Sequence, residues 1–410
     1  MLLEERRTIV TVDDIKRAQK NLAGLVRKTP VDYSTTFSNL IGKEIYLKCE
    51  NLQKTGSFKI RGATNKILNL TEEEKKRGVI AASAGNHAQG VAYGATALGI
   101  PSTIFMPEGA PISKITATRG YGAEVLLAGE SYDNAYQKAK EVQVERGATF
   151  IHAFDDSDVI AGQGTVGLEI LADLPEVDTV IVPIGGGGLI SGMAIAMKEA
   201  RPQIKVIGVQ AAGCPSSYVS RKEHKICPVS FSGTIADGIA VKTPGSLTFP
   251  LIESYVDDIV TVEDEEIANA ILMLLERAKL VVEGSGAVSL AALLYNKVNV
   301  RGKKVAAILS GGNIDANMVS TIISRGLVKA GRYVRINTSL PDKPGYLRKL
   351  LNLVADLKAN VFSINHERLD VHAPIGETEV YLTLETRDHE HIRRIIEVMT
   401  KEGYKAKVLD

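Results

Sequence analysis

Along the first three quarters of the chain, short apolar runs rich in β-branched residues alternate with longer amphipathic stretches. The short runs are EIYLKCE (44–50), GVIAAS (78–83), STIFMP (102–107), EVLLAG (124–129), TVIVPIG (179–185), KVIGVQA (205–211), DIVTV (258–262) and KVAAILSGG (304–312). Several are continuously apolar, as strands covered on both faces must be. Between them, SYDNAYQKAKEVQVERG (131–147) and EDEEIANAILMLLERAKL (263–280) predict helices. The second opens on acidic residues and closes on Arg277 and Lys279, which suits the helix dipole. Strands alternating with helices predict βαβ units and an α/β fold with a mostly parallel open sheet.

The texture changes at SRGLVKAGR (324–332), which reads as a short basic connector. After it come YVRINTSL, LRKLLNLVADLK, NVFSINHERL, a turn holding Pro374 and Gly376, ETEVYLTLET, HEHIRRIIEVMTKE and YKAKVL. That order is βαββαβ, the ferredoxin-like arrangement. Its strands alternate apolar and polar positions, so one face is solvated or paired. The expected division is a larger region at 1–330 and a smaller domain at 331–410.

Composition narrows the function classes. The 410 residues carry 49 Lys+Arg against 48 Asp+Glu, a net charge of +1, so no basic footprint for nucleic acid is expected. Cys49, Cys214 and Cys227 are odd in number, widely spaced and without metal-ligand spacing, which suits a reducing cytoplasm better than a disulfide framework. MLLEERRTIV is too charged for a signal peptide. Thr179 to Met197 holds no charged residue and is long enough to raise the question of a membrane span. Pro183 and the run Gly185 to Gly188 interrupt it, so a strand, a tight loop and a helix are expected there instead.

Four strand-end stretches carry candidate chemistry. GGGGL (185–189) follows a predicted strand and opens a predicted helix. Helix-start N–H groups without a Cβ in the way suit a phosphate. The loop is neither GxGxxG nor a P-loop, and a tight packing turn is the plainer alternative. Lys59 lies in SFKIRGA (57–63). A lysine attacks carbonyls once desolvation or a nearby cation lowers its pKa, and Arg61 is a candidate cation. On this heptapeptide alone, a solvated helix-start lysine is the favoured reading. SAGNHAQG (83–90) is a second anion site, suited to a carboxylate, with Ser83 and Asn86 side chains at hand. His87 there reads as a locally bonded helix-start histidine rather than a metal ligand. LSGGN (309–313) places the Ser310 hydroxyl at a strand's carboxyl end, where open α/β sheets bind ligands. A nucleophilic lysine, a phosphate cradle, a carboxylate cradle and a neutral hydroxyl, all expected at strand ends of one sheet, match the needs of pyridoxal phosphate and an amino-acid substrate.

The sequence resembles the fold-type II pyridoxal-phosphate enzymes related to the tryptophan synthase β-chain, most closely the threonine dehydratases (threonine ammonia-lyases). KTGSFKIRGA (54–63), SAGNHAQGVA (83–92), GGGGLISG (185–192) and LSGGN appear in order over about residues 8–325. The tail resembles an ACT domain, an amino-acid-binding regulatory module, with its first loop at LPDKPGYL (340–347). The resemblance implies two α/β lobes and a cofactor carried covalently on Lys59, which also serves as base. It places Phe58 near the ring, Asn86 on the ring's O3′ oxygen, Gly185, Gly186, Gly187, Gly188 and Leu189 on the phosphate, and Ser310 at the pyridine nitrogen. Ser83, Ala84, Gly85, Asn86 and His87 would hold the substrate carboxylate. For the tail it implies an amino-acid effector, isoleucine by expectation, near Asp342, Gly345 and Asn360, and a homodimer or homotetramer. The expected reaction is deamination of L-threonine to 2-oxobutanoate and ammonia, with some activity on L-serine.

One departure stands out. Related serine racemases carry an acidic metal-binding residue after the strand matching KVIGVQA, whereas this chain reads AAGCPSS (211–217), leaving only Asp237 in TIADG nearby. No metal is expected. The alternatives are a serine racemase or serine dehydratase, a nucleotide-dependent Rossmann enzyme, and a non-catalytic amino-acid sensor. The Rossmann reading needs an acid about 20 residues past the glycine loop, where Gln210 stands instead. The sensor reading leaves Lys59 and the loop set unexplained.

Overall fold

The computed structural model describes residues 10–300, 302–368 and 374–409. They form two compact units, 1–315 and 316–410. The helix Ala316–Lys329 therefore groups with the second unit, ahead of the boundary expected at 330. Its basic end suggested a connector. Its Ile322 is nevertheless buried, and the helix packs against the strand Tyr333–Pro341.

The first unit holds two sheets. One has six strands in the order β1 (Val31–Tyr33), β2 (Glu44–Cys49), β10 (Lys304–Leu309), β7 (Thr179–Pro183), β8 (Lys205–Ala211) and β9 (Asp258–Val262); β1 is antiparallel to β2 and the other pairs are parallel. The other has four parallel strands, β5 (Glu124–Leu127), β4 (Ser102–Met106), β3 (Val79–Ala82) and β6 (Thr149–Phe150). Strands β2, β3, β4, β5, β7, β8, β9 and β10 coincide with the apolar runs of the sequence. Helices explain why those runs are apolar at every position. Val79, Ala81, Ile104 and Met106 pack on one side against Ala63, Ile67, Ala88 and Val91. Ile80, Ala82 and Phe105 pack on the other side against Ala135, Ala139 and Val142. In the larger sheet, Val180, Val182, Val206 and Ile308 meet Met193, Met197, Val166 and Ile170.

The stretch Thr179–Met197 is β7, a glycine turn and most of the helix Gly188–Ala200. Among the described residues, no helix is long and apolar enough to cross a membrane. The predicted helix 263–280 ends at Met273, passes into a π-turn at Leu274–Ala278 and closes on Lys279 in the left-handed region, at φ 60°.

After the helix Ala316–Lys329, the second unit runs βαββαβ, as its pattern predicts. Strands β11 (Tyr333–Pro341), β12 (Asn360–Glu367), β13 (Glu377–Glu385) and β14 (Lys407–Leu409) form an antiparallel sheet in the order β12-β13-β11-β14. Ile336, Leu340 and Leu382 meet Leu350, Val354, Ile395 and Met399 from the helices Tyr346–Asp356 and His389–Lys401.

Candidate active site

The candidate loops all leave the carboxyl ends of strands, in two sheets as the two lobes of the family resemblance imply, rather than in the single sheet that the strand pattern alone suggested. SAGNH follows β3, while the glycine loop follows β7 and SGGN follows β10. The reason is that β3 through β6 pair among themselves, a partition that strand patterning does not encode.

Lys59 opens the helix Lys59–Leu68. The chain before it is stitched to the loop after β10. Ser57 bridges Gly311, the Phe58 N–H donates to the Ser310 carbonyl at 3.1 Å, and the Gly312 N–H donates to the Gly56 carbonyl at 2.8 Å. The end of one strand thus positions both Lys59 and Ser310. Lys59 Nζ donates to the Ala153 carbonyl at 3.0 Å and stands 5.2 Å from the centroid of the Phe58 ring. Burial pushes the amine down to about 8, against the opposing charge of Glu283. Arg61 is not the cation behind this shift. Residues two apart on a helix face different ways, and Arg61 turns into a buried cluster with Glu50 and Glu169.

In the SAGNH loop, the Gly85 N–H donates to Ser83 Oγ at 3.2 Å, and Asn86 begins the helix Asn86–Ala97. Ala84 packs on the core below. The first N–H groups of this helix lack intrahelical partners, which suits a carboxylate. The buried ring of His87 points away from that task. Its Nε2 donates to the Ile151 carbonyl at 2.8 Å, and burial pushes the imidazole down to about 3, so it stays neutral. His87 can serve the loop through its backbone. Asn86 is held from both sides, its Nδ2 donating to Glu283 Oε1 at 2.6 Å and its Oδ1 accepting from Asn313 Nδ2 at 2.7 Å.

Gly185 to Gly188 link β7 to the helix Gly188–Ala200, with Gly187 at φ 96°. The Ser191 N–H makes an early helical bond to the Gly187 carbonyl at 3.0 Å. The N–H groups before it are free to meet an anion. Thr248 Oγ1 donates to the Gly186 carbonyl at 2.6 Å, and Leu189 is buried beneath. A Cβ on Gly186 would overlap the Phe154 ring, and one on Gly187 would sit 2.8 Å from Ile252 Cδ1. Gly187→Ala is therefore expected to weaken cofactor affinity at least tenfold, because a side chain at that φ adds strain of about 1–3 kcal/mol on top of the contact. Fluorescence titration of the apoprotein with pyridoxal phosphate measures it, and an unchanged dissociation constant would remove this loop from the site.

Two elements escaped the sequence reading. The segment His152 to Asp155 follows β6, a strand of two residues that leaves no visible pattern. It supplies the carbonyl for Lys59 and the ring beside Gly186. Asp155 accepts from the N–H groups of Ser246 at 2.9 Å, Leu247 at 2.8 Å and Thr248 at 3.2 Å. Glu283 is the other. As a lone acid in LVVEGSGAVSLAALL (280–294) it was a readable signal. Ser310 Oγ, 3% exposed, donates to the Ser285 carbonyl at 3.2 Å.

The three candidate effector residues do not form one cluster. Asp342 follows β11 and pairs with Arg368 at 2.7 Å, and Gly345 caps the next helix. Asn360 and Tyr333 both register with Glu385, at the far end of the sheet. About eight residues of strand separate the two ends, roughly 27 Å. Both sites cannot touch one small amino acid within a single unit. Among the described residues, no group of His, Cys, Asp and Glu is arranged to hold a metal ion.

The first unit's site fits pyridoxal phosphate. It offers an amine of lowered basicity for the aldehyde, a glycine turn for the phosphate, and a hydroxyl and an oriented amide for the ring heteroatoms. Comparison with known proteins agrees. The family profile described as "Pyridoxal-phosphate dependent enzyme" matches residues 22–311. An L-threonine ammonia-lyase of Thermotoga maritima is 55% identical over 401 residues, 98% of this chain and 100% of that protein. An L-threonine ammonia-lyase of Geobacter sulfurreducens is 52% identical, over 96% of this chain and 98% of its own length. The solved structure of maize serine racemase superposes with a TM-score of 0.74 at 40% identity, covering 78% of this chain and 98% of that one. With the family profile spanning both of its sheets and the lysine between them, the chain belongs to the pyridoxal-phosphate dependent enzymes.

Proposed function

We propose that this chain deaminates L-threonine to 2-oxobutanoate and ammonia by β-elimination of water, with L-serine as a secondary substrate. The observation that carries threonine over serine racemisation is the extent of similarity. The two ammonia-lyases align over nearly the whole chain, second unit included, whereas the racemase covers about as much as the first unit alone.

Bound at this site, pyridoxal phosphate supplies the aldehyde that captures the amino group and a ring that accepts electron density from Cα. The remaining steps belong to the chain. Lys59 carries the cofactor and, once displaced, its Nζ takes the Cα proton as general base. The Gly185–Leu189 turn holds the phosphate and the SAGNH loop the substrate carboxylate. Phe58 would flank the ring, and Asn86 would donate to the O3′ oxygen. Ser310 would meet the pyridine nitrogen with a neutral hydroxyl instead of a carboxylate, its O–H turning from the Ser285 carbonyl to the nitrogen, so that no anion there would hold the nitrogen protonated. Electron density then stays near Cα, which favours expulsion of the β-hydroxyl. As the Cβ–O bond breaks, a proton reaches the departing oxygen, so that the hydroxyl and the equivalent of the Cα proton leave as water. The freed enamine tautomerises to an imine that a second water hydrolyses to the keto acid and ammonia.

The second unit reads as an ACT-like regulatory domain on a catalytic body, and a branched-chain amino acid is the proposed effector, at the Asp342–Gly345 turn. The resemblance also supports a homodimer or homotetramer in the cytoplasm. Purified protein is assayed for keto-acid release from threonine and serine, with isoleucine, valine and leucine each in excess. Threonine is expected to be turned over faster, and isoleucine to shift its kinetics several-fold. Racemised serine without keto acid would overturn the lyase reading, and kinetics indifferent to all three amino acids would overturn the effector.

A further inference from the structure

The reaction above gives no task to Glu283, a carboxyl 5% exposed at the back of the site. The chain reaches it through the π-turn Leu274–Ala278 and the left-handed Lys279. Such π-turns are rare and concentrate at functional positions. The Glu283 N–H donates to the Gly311 carbonyl at 3.1 Å, fixing it to the loop that also fixes Lys59. Its Oε1 accepts from Asn86 Nδ2 at 2.6 Å and from Ser285 Oγ at 3.2 Å. Gly311 packs so tightly that a Cβ there would overlap Glu283 Oε1 and crowd Asn86 Nδ2, at 3.1 Å.

An amide side chain can turn over, exchanging its oxygen for its nitrogen. Here the exchange is blocked from both ends. Asn313 Nδ2 donates to Asn86 Oδ1 at 2.7 Å and is itself anchored on the Thr55 carbonyl at 2.8 Å. Turning Asn86 over would set its NH2 against the NH2 of Asn313 and its oxygen against the Glu283 carboxylate. Both contacts would be repulsive. In the observed orientation one Nδ2 hydrogen goes to Glu283 and the second is left over.

We infer that Glu283 and Asn313 are positioning residues that lock the Asn86 amide in one orientation, so that its second N–H is held as a donor for the cofactor's O3′ oxygen. This deepens the function proposed above and rests on Asn86 facing the cofactor. The lock needs Glu283 as an acceptor. A protonated Glu283 can itself donate to the amide oxygen, which removes the repulsion on that side and lowers the cost of the turned orientation. The charged groups that act on it are Lys59 from its helix, Lys114 from the helix Ile112–Gly120 and Asp237 from the short turn Asp237–Ile239. Burial and Asp237 push the carboxyl up to about 7, against Lys114 and the Asn86 and Ser285 hydrogen bonds. The Glu283 side of the lock is therefore set above neutral pH and released as pH falls through about 7, leaving the Asn313 contact alone to hold the amide.

The test titrates cofactor absorbance of the full-length holoenzyme from about pH 5.5 to 9, with the pyridoxal phosphate dissociation constant measured beside it. Wild type is expected to show a spectral transition near neutral pH. Glu283→Gln is expected to lose that transition and bind the cofactor about tenfold more weakly, while Glu283→Asp keeps the transition with intermediate affinity. Asn313→Ala, which frees the amide from the other side, is expected to weaken binding with the transition kept. A Glu283→Gln protein that titrates and binds like wild type would overturn the inference. Should that variant fail to melt cooperatively, wild-type affinity in Asn313→Ala, or a wild-type spectrum flat across neutral pH, overturns it equally. A wild-type protein that binds no pyridoxal phosphate would remove the proposed function as well. Normal binding with unchanged variants would remove only the lock.

Discussion

Lys59→Ala is expected to abolish keto-acid release from threonine, lowering kcat by at least about 10⁴-fold. A positioned general base alone contributes about 10²–10⁴, and the same amine is the nucleophile that takes the aldehyde. Alanine leaves the glycine turn and the SAGNH loop untouched, so the variant is expected to retain weak, non-covalent cofactor binding. Lys59→Arg should not rescue, because a guanidinium stays protonated and cannot act as either nucleophile or base. The wild-type amine makes a pH prediction of the same origin. Its reactive form is neutral, and burial has pushed its pKa down to about 8. At pH 7 about one amine in ten is then neutral, against about one in 2,500 for an ordinary lysine. The rate at which apoprotein takes up pyridoxal phosphate should rise about tenfold per pH unit below 8 and level off above it. Stopped-flow absorbance measures this. Threonine-dependent 2-oxobutanoate from Lys59→Ala would sink the assignment of the lysine.

What the sequence made legible follows from local chemistry. Buried parallel strands such as β4 and β7 must be apolar throughout, so their positions show. The glycine turns after β7 and β10 show because Gly186, Gly187, Gly311 and Gly312 leave no room for a Cβ. What stayed hidden depends on tertiary partners. The strands β1 and β6 span three and two residues, too short for any periodicity. His152 to Asp155 carries no motif, and its importance comes from Ala153 offering a backbone carbonyl, which every residue has. The division into two sheets is a matter of which strands pair. Asn360 was grouped with Asp342 by resemblance, but strand register separates them. Arg61 is close to Lys59 in sequence, but helical geometry sends the two side chains apart.

That same geometry gives Arg61 a large role in stability. Its Nε and Nη2 each donate to Glu50 at 2.8 Å, its Nη1 and Nη2 to Glu169 at 2.7 and 2.9 Å, and Nη1 also to Thr165 Oγ1 at 3.2 Å. Lys48 Nζ completes the cluster, 2.5 Å from Glu169 and 2.8 Å from the Thr29 carbonyl. Arg61 and Lys48 are essentially inaccessible, Glu50 is fully buried and Glu169 nearly so. Two cations thus balance two anions in the core. Arg61→Met fills similar volume but leaves two carboxylates with one lysine. Breaking one partner out of a buried ion cluster costs about 3–5 kcal/mol, and that is the expected fall in unfolding free energy at pH 8. The sign of its pH dependence separates lost charge pairing from lost packing. Burial alone would raise the Glu50 carboxyl, but the charge and hydrogen bonds of Arg61 outweigh it and hold it below the ordinary range. In wild type, this pairing stabilises the fold above the unfolded carboxylate pKa and is lost as pH falls through the lower, folded one. Without Arg61, burial prevails, Glu50 takes up a proton at higher pH, and the stranded charge is neutralised. The deficit of Arg61→Met should therefore shrink between pH 8 and about pH 5.5, and Glu50→Gln added to Arg61→Met should recover part of it at pH 8. Urea unfolding midpoints read all three. A deficit that is equal at both pH values and untouched by Glu50→Gln would mean that Arg61 contributes shape and not charge. Because Arg61 sits half a turn from Lys59 on the same helix, loosening it should also lower kcat more than it raises KM, since even about 1 Å of misplacement of a reacting group costs on the order of 10² in rate.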